Sequence, residues 1–195
     1  MAKLKLYLDG CSFVWGANLD PQYNLNTLFG YEFEVTNLSR GGKSNLAIAM
    51  DYHKHAQDHN VVVIGWTFAT RFYLKHDTVD LDFFPTRARD LHPIPGIQTD
   101  INLLEDAYFE FHKHFYRLYS EPFISEFSDM LVDQAQLIAR DRQQTPVFFT
   151  WEHRNTKSPV YNPFIPDHMR LPCNHLNKQG TEYLHTVLRQ KIDEQ

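Results

Sequence analysis

Short hydrophobic runs along this chain are separated by stretches in which apolar residues recur at helical spacing. Four of the runs, at 3–8, 31–36, 60–66 and 146–151, have the length and the β-branched or aromatic composition of strands. The run at 60–66 is the clearest, because an almost continuous series of β-branched residues is typical of a central parallel strand. The run at 31–36 alternates with acidic residues, which indicates a more exposed strand.

The stretches between these strands predict helices over 24–30, from Ser44 or Asn45 to about 57, and from Asn177 to about 192. Two further apolar stripes at helical spacing flank Pro122, and we interpret both as core-facing. Their residues are Leu104, Tyr108, Phe111, Phe115 and Leu118, and then Phe123, Phe127, Met130 and Ile138. Strands and helices alternate without a repeat or a linker. We therefore predict a single domain over 1–195, of the α/β class, with a three-layer α/β/α sandwich around a mainly parallel, flavodoxin-like central sheet.

Periodicity disappears between 67 and 98, where prolines recur at 85, 93 and 95. We expect a long loop over this stretch. A loop of that length inside a compact domain is usually functional, for example as a lid over a site.

The composition narrows the class of protein and its partners. Hydrophobic residues make up 43% of the 195 positions, enough for one sizeable core. The formal net charge of −5, with scattered basic residues, gives no electrostatic footprint for nucleic acid. The N-terminal apolar run is too short for a signal peptide, and no run reaches the length of a membrane span. Two cysteines are too few for a disulfide framework. From these features together we expect a cytoplasmic protein without nucleic-acid or membrane partners. The oligomeric state stays open.

Two other kinds of site receive little support. His53, His55 and His59 share one segment, but residues two apart on a helix point to different faces. No Cys-x-x-Cys or His-Glu-x-x-His spacing accompanies them, so we expect no metal and no cofactor. A phosphate-binding loop at 42–44 would need a glycine where Asn37 stands, which disfavours nucleotide binding.

A small hydroxyl, that of Ser12, stands just past the carboxyl end of the first predicted strand, two residues after the break at Gly10. In open α/β sheets, ligands gather outside the carboxyl ends of the strands, so Ser12 is a candidate nucleophile. The alternative is that Gly10 and Ser12 are ordinary turn residues. A serine nucleophile needs a base and donors for the oxyanion. His175, before the last helix, is the candidate base, and Gly42, Asn45 and the Ser12 amide are candidate donors.

Four short groups of residues follow one another along nearly the whole chain. They are Gly10-Cys11-Ser12-Phe13 with Gly16; Asn37, Gly42, Ser44 and Asn45; Ile64-Gly65-Trp66-Thr67 with Arg71; and His175-Leu176-Asn177 with Gly180. In this order they resemble the four blocks of the SGNH (GDSL-like) hydrolases, the first in a Gly-Cys-Ser variant. The resemblance implies that Ser12 is the nucleophile, that His175 is its general base and that the amides of Ser12 and Gly42 hold the oxyanion.

The third group departs from the family pattern. The corresponding block in that family normally offers an asparagine side chain to the oxyanion, and Trp66-Thr67 stands in its place here. Thr67 or Asn45 would then have to supply the missing donor. Arg71, which follows this group, either binds an anionic part of the substrate or pairs with an acid at the rim.

The second departure concerns the acid that orients the histidine. The family usually has an aspartate two or three residues before it, where this chain has Cys173 and Pro172. Asp167 is a candidate orienting acid if the loop folds back; without an acid, the site is a Ser12–His175 dyad. A triad acid mainly fixes the tautomer of the histidine, so a dyad is slower but still competent.

The resemblance implies an esterase or deacetylase that cleaves an O-acyl ester, on a carbohydrate or on a small alcohol, through an acyl-enzyme on Ser12. The alternative is a degenerate hydrolase that binds an acylated ligand or partner without efficient catalysis. The acyl group and the alcohol are not specified by the sequence.

Overall fold

The computed structural model describes residues 3–69, 71–76, 79–83, 114, 121–151, 156–157 and 160–195. The predicted apolar helix face from Leu104 to Leu118 lies outside these residues. The part of the predicted 67–98 loop that follows position 83 also lies outside them.

A parallel sheet of four strands forms the centre of the fold. β1 (Lys5–Gly10), β2 (Glu34–Asn37), β3 (Val61–Trp66) and β6 (Thr145–Thr150) lie in the order β2-β1-β3-β6, and every neighbouring pair is parallel. All four strands coincide with predicted ones, shifted by a few residues at their ends. The prediction of a mainly parallel central sheet is confirmed.

Helices cover both faces of this sheet. They are α1 (Ser12–Trp15), α2 (Leu25–Gly30), α3 (Asn45–His55), α4 (Glu121–Asp141) and α5 (Lys178–Asp193).

Successive residues of a strand point to opposite faces, and the two halves of the core follow that alternation. Leu6, Leu8 and the odd-numbered valines of β3 pack with α1, α2 and α5, whereas Tyr7 and the even-numbered residues of β3 pack with α3 and α4. The α/β fold class, a three-layer α/β/α sandwich, is therefore confirmed.

Part of the expected long loop is a hairpin. β4 (Phe72–His76) pairs antiparallel with β5 (Val79–Phe83), so the expectation of an irregular loop is wrong for this part. Charged residues alternate with apolar ones in β5, a pattern that belongs to a two-stranded ribbon rather than to the central sheet.

The buried face of α4 is shifted from the predicted face by one position along the sequence. Phe123 and Met130 are 48% and 53% exposed, which contradicts their assignment to the core. The buried side instead consists of mostly small residues: Ile124, Ser128, Val132, Ala135 and Ala139. The largest apolar side chains dominate the periodic pattern in the sequence, whereas a helix packed close to a sheet and to a second helix favours small ones.

A buried cluster of charges ties β1 to the loop after β2. The Lys43 ammonium, fully buried, lies 2.6 and 2.7 Å from the two carboxylate oxygens of Asp9, which is also fully buried. Lys43 also contacts an Asp51 carboxylate oxygen at 2.7 Å and donates to the Leu38 carbonyl at 3.0 Å. The Tyr7 hydroxyl donates to the second Asp9 oxygen at 2.7 Å.

Burial opposes ionisation of this cluster. It raises the pKa of Asp9, while the neighbouring Lys43 and the hydrogen bonds of Tyr7 and Gly10 work in the opposite direction. It also raises the pKa of Tyr7, which keeps the phenol protonated as a donor. The charges are therefore retained in the interior only because each has a partner.

We expect Lys43→Met to lower the free energy of unfolding by about 3–5 kcal/mol, because it leaves the Asp9 carboxylate buried without its cation. Urea denaturation followed by circular dichroism measures the change. The matched control is Lys54→Met, at an exposed position of α3, which should leave the denaturation midpoint in place. Equal midpoints for both variants would contradict the role given to the cluster.

Candidate active site

The candidate site lies where the order of the strands reverses. β2 lies on one side of β1 and β3 on the other, so the carboxyl ends of β1 and β3 flank a topological switch point. Ligands of open α/β sheets bind in the crevice at such a point. Ser12, half-buried, is the first residue of α1 and follows β1 after Gly10 and Cys11.

Two glycines allow α1 to lie directly on the strand ends. Gly10 of β1 pairs with Gly65 of β3. A Cβ at Gly65 would lie 2.5 Å from a Val14 methyl group and 2.7 Å from the Phe149 ring, distances that side chains do not tolerate. A Cβ at Gly10 would meet the same methyl group at 2.4 Å. The missing side chains thus fix how close Ser12 sits to the sheet.

His175 lies in a short loop that folds back before α5. Arg170 and Leu176 form an antiparallel bridge, and the Leu171 amide donates to the His175 carbonyl at 2.7 Å. Asn177 caps α5, its side-chain oxygen accepting from the Gly180 amide at 2.9 Å. These bonds leave the backbone around His175 little freedom.

A second contact fixes the same loop against α5. A Cβ at Gly180 would lie 2.3 Å from the Met169 carbonyl oxygen, so only glycine permits this approach of the helix to the loop. The Asn177 amide donates to the same carbonyl at 2.9 Å.

The structure brings Ser12 and His175 together from opposite ends of the chain. The Ser12 Oγ lies 2.9 Å from His175 Nε2, a hydrogen-bonding distance. The Phe13 ring packs against the imidazole, with 5.0 Å between the ring centres. A serine hydroxyl bonded to an imidazole nitrogen is the pairing from which a general base takes the proton of a nucleophile.

The other nitrogen of the imidazole faces a thiol. Cys173 Sγ lies 3.4 Å from His175 Nδ1, in the place where a triad has its acid. Asp167 is exposed at the start of the 3-10 turn Asp167–Met169, and its part as orienting acid stays a prediction. Sequence reasoning did not assign Cys173 this contact; its position two residues before the histidine was the available signal.

The glycine loop after β2 lies beside the Ser12 loop. The Arg40 amide donates to the Gly10 carbonyl at 3.2 Å, and a Cβ at Gly41 would be 3.7 Å from the Trp15 ring. Gly42 has a φ of 79°, in the left-handed region that favours glycine. The position of this loop is consistent with a Gly42 amide at the oxyanion, and the assignment of the Ser12 and Gly42 amides as donors stays a prediction.

Asn45 is buried and bonded to backbone. Its side-chain oxygen accepts from the Thr67 amide at 2.8 Å, and its nitrogen donates to the Thr67 carbonyl at 3.0 Å and to Ser128 Oγ at 2.6 Å. The carboxamide thereby fixes the backbone just after β3. Trp66, at the block position where the resemblance expects asparagine, is fully buried in the core between the sheet and α3.

An aromatic path leads from the histidine to Arg71. The Phe13 ring, which contacts His175, also packs against Phe68 and Trp151, with ring centres 6.5 and 4.7 Å away. The Arg71 guanidinium lies over the Phe68 ring, 5.3 Å from its centre. Its role toward a substrate stays a prediction.

The structure also shows the residues of the phosphate-binding and metal sites that the sequence disfavours. Lys43, the lysine of the glycine loop, is buried against Asp9 and Asp51 rather than presented to a phosphate. In the described part of the chain, no group of three or more His, Cys, Asp or Glu side chains is arranged to hold a metal ion. Among the same residues, no helix is both long and apolar enough to cross a membrane.

No model of a known protein family matches this sequence, and no curated protein does. The fold is similar to that of the psychrotrophic esterase EstA from Pseudoalteromonas sp., with a TM-score of 0.53 and 8% identity over 97% of each chain. Weaker likenesses include TesA (TM-score 0.44, 13% identity, 96% of this chain and 97% of that one). Another is a protein assigned to the G-D-S-L family from Desulfitobacterium hafniense (TM-score 0.40, 11% identity, 97% of this chain and 99% of that one). The likeness to EstA supports the fold assignment alone.

We expect Asn45→Ala to lower the free energy of unfolding by about 1–3 kcal/mol, because it removes the buried hydrogen bonds to the amide and the carbonyl of Thr67. Urea denaturation measures the change, with Gln179→Ala at an exposed position as the control. Unchanged stability together with a loss of activity would instead return Asn45 to the role of an oxyanion donor.

Proposed function

We propose that this protein is a serine-dependent ester hydrolase, an esterase or deacetylase that cleaves an O-acyl ester of a carbohydrate or of a small alcohol. The observation that carries the proposal is the 2.9 Å contact between Ser12 Oγ and His175 Nε2 at the carboxyl ends of β1 and β3. The two residues are 163 positions apart in the sequence, so the whole fold is needed to form the pair.

The reaction runs in two halves. Ser12 Oγ attacks the acyl carbonyl carbon while its proton moves to His175 Nε2, which gives a tetrahedral oxyanion. The carbon–oxygen bond to the alcohol then breaks, and the imidazolium returns the proton to the leaving oxygen. A water molecule, deprotonated by His175, attacks the acyl-enzyme, and collapse of the second intermediate releases the acid and restores Ser12.

The oxyanion requires donors that point at it before the reaction begins. The amides of Ser12 and Gly42 are the proposed pair, and the Thr67 hydroxyl is a third proposed donor. Loss of one oxyanion donor lowers the rate of a serine hydrolase by about 10²–10³. Position 66 carries a tryptophan instead of an asparagine, and the Asn45 carboxamide is already bonded to Thr67 and Ser128. We therefore expect a modest turnover unless the Thr67 hydroxyl supplies the third oxyanion donor.

Aromatic side chains pack around the histidine of the pair. Phe13 lies against the imidazole, and Trp151 packs on Phe13 with 30° between their ring planes. Acetyl and other short acyl esters are the substrates proposed here, with Arg71 as the contact for an anionic alcohol.

We expect the wild-type protein to hydrolyse p-nitrophenyl acetate and to be labelled covalently at Ser12 by a fluorophosphonate. Ser12→Ala removes the attacking oxygen and His175→Ala removes its base, so each should lower kcat by at least about 10³. EstA is described as inhibited by monoethylphosphonate, and a phosphonate is accordingly a suitable probe for this fold. Mass spectrometry of the labelled peptide and steady-state kinetics measure the two effects.

The control is His168→Ala, which removes an exposed histidine from the same segment and should leave both activities unchanged. Equal turnover in the wild type and in Ser12→Ala would reject the proposal. Binding of an acetylated sugar by the wild type, without turnover or labelling, would favour the degenerate binding protein, for which the buried Trp66 in the third block is the supporting observation.

A further inference from the structure

The Cys173 thiol faces the nitrogen of His175 that Ser12 does not contact. Its sulfur lies 3.4 Å from His175 Nδ1, while His175 Nε2 lies 2.9 Å from Ser12 Oγ. The side-chain amide of Asn18 donates to the same sulfur at 3.6 Å. The sulfur, the imidazole and the hydroxyl thus form a continuous chain of contacts, with the imidazole in the middle.

The chemistry of His175 requires a definite tautomer. For Nε2 to accept the proton of Ser12, the neutral ring must carry its hydrogen on Nδ1. A group that accepts a hydrogen bond from Nδ1 fixes this tautomer and the orientation of the ring, which is the task of the acid in a Ser-His-Asp triad. A cysteine sulfur is a weak acceptor, so it can perform the task with a smaller effect than a carboxylate.

The turn before His175 is built so that Cys173 reaches the ring. Asn174 has a φ of 67°, and its amide donates to the Leu171 carbonyl at 2.8 Å. The Arg170 guanidinium donates to the Asn174 carbonyl at 3.2 Å. These bonds close the turn and place the side chains of Cys173 and His175 on the same side of it.

We propose that Cys173 is the positioning residue of the Ser12–His175 pair, its sulfur accepting the hydrogen bond of Nδ1–H and holding Nε2 toward the serine. Its effect on the reaction rate rests on the proposed function, whereas its effect on the tautomer does not. The contact that carries the proposal is that of Cys173 Sγ with His175 Nδ1, opposite the contact of Ser12 Oγ with Nε2.

The first measurement is the tautomer of His175 in the full chain, by long-range ¹H–¹⁵N correlation of the histidine rings, with His175→Ala to assign its signals. The Nδ1–H tautomer is expected in the wild type. In Cys173→Ala the signals should shift toward the Nε2–H form, and Cys173→Ser should restore the wild-type pattern in part. The same tautomer in the wild type and in Cys173→Ala would overturn the proposal, whether or not the protein has esterase activity.

The second measurement is the pH profile of kcat/KM on p-nitrophenyl acetate. Cys173→Ala should lower kcat about tenfold and leave KM within about twofold, because a lost hydrogen bond at Nδ1 is of that order. Cys173→Asp should retain or raise kcat and move the acidic limb of the profile to higher pH, because an adjacent carboxylate favours the imidazolium. A thiol with a merely structural role would leave kcat and the acidic limb of the profile at their wild-type values in Cys173→Ala.

The variant Asp167→Asn tests whether Asp167 or Cys173 is the partner of His175 Nδ1. A loss of kcat in Asp167→Asn, with wild-type kinetics in Cys173→Ala, would assign the orienting role to Asp167 and overturn the proposal. A wild type without turnover or fluorophosphonate labelling would reject the proposed function alone, provided that the tautomer still depends on Cys173. Because Cys173 is exposed, none of its variants should change the thermal stability of the protein.

Discussion

The buried pair of Asp9 and Lys43 is the interaction on which the geometry of the site depends. Asp9 is the residue before Gly10 at the end of β1, and Lys43 is the residue after Gly42 in the glycine loop. Two charges this deep are stable only while each stays within hydrogen-bonding distance of the other. The pair therefore sets the distance between the loop that carries Ser12 and the loop that carries Gly42, and any sliding of one loop along the other would leave a charge unpaired.

The sequence predicts the fold and the contact between Ser12 and His175 better than the surroundings of that contact. The β-branched residues of β3 identify a central strand without ambiguity, and the position of Ser12 follows from the rule that chemistry lies beyond the strand ends. His175 and its helix cap at Asn177 can be recognised in the same way. The contact of Cys173 with Nδ1 is signalled only by its position two residues before the histidine, because it depends on the left-handed backbone at Asn174, which no pattern of hydrophobic residues encodes.

The incorrect prediction for α4 has a related cause. Periodicity identifies a helix but does not decide between two adjacent apolar stripes, and the larger side chains of Phe123 and Met130 dominate any estimate of hydrophobicity. The sheet selects instead the stripe of Ala135 and Ala139, whose size matches the space available. Asn45 illustrates the same limit for polar groups: a buried amide looks like a donor for substrate in the sequence, whereas the fold uses it to hold Thr67.

Several weak contacts together fix the orientation of His175. The Phe13 ring packs against one side of the imidazole, the Leu171 amide holds its carbonyl, and the close approach of Gly180 to Met169 fixes the helix that follows. A carboxylate is needed most where the ring is otherwise free to turn. In a ring already confined by packing and by backbone bonds, the acceptor at Nδ1 has only to select the tautomer. A thiol, which is a weak acceptor, suits that smaller task in the proposed assignment of Cys173.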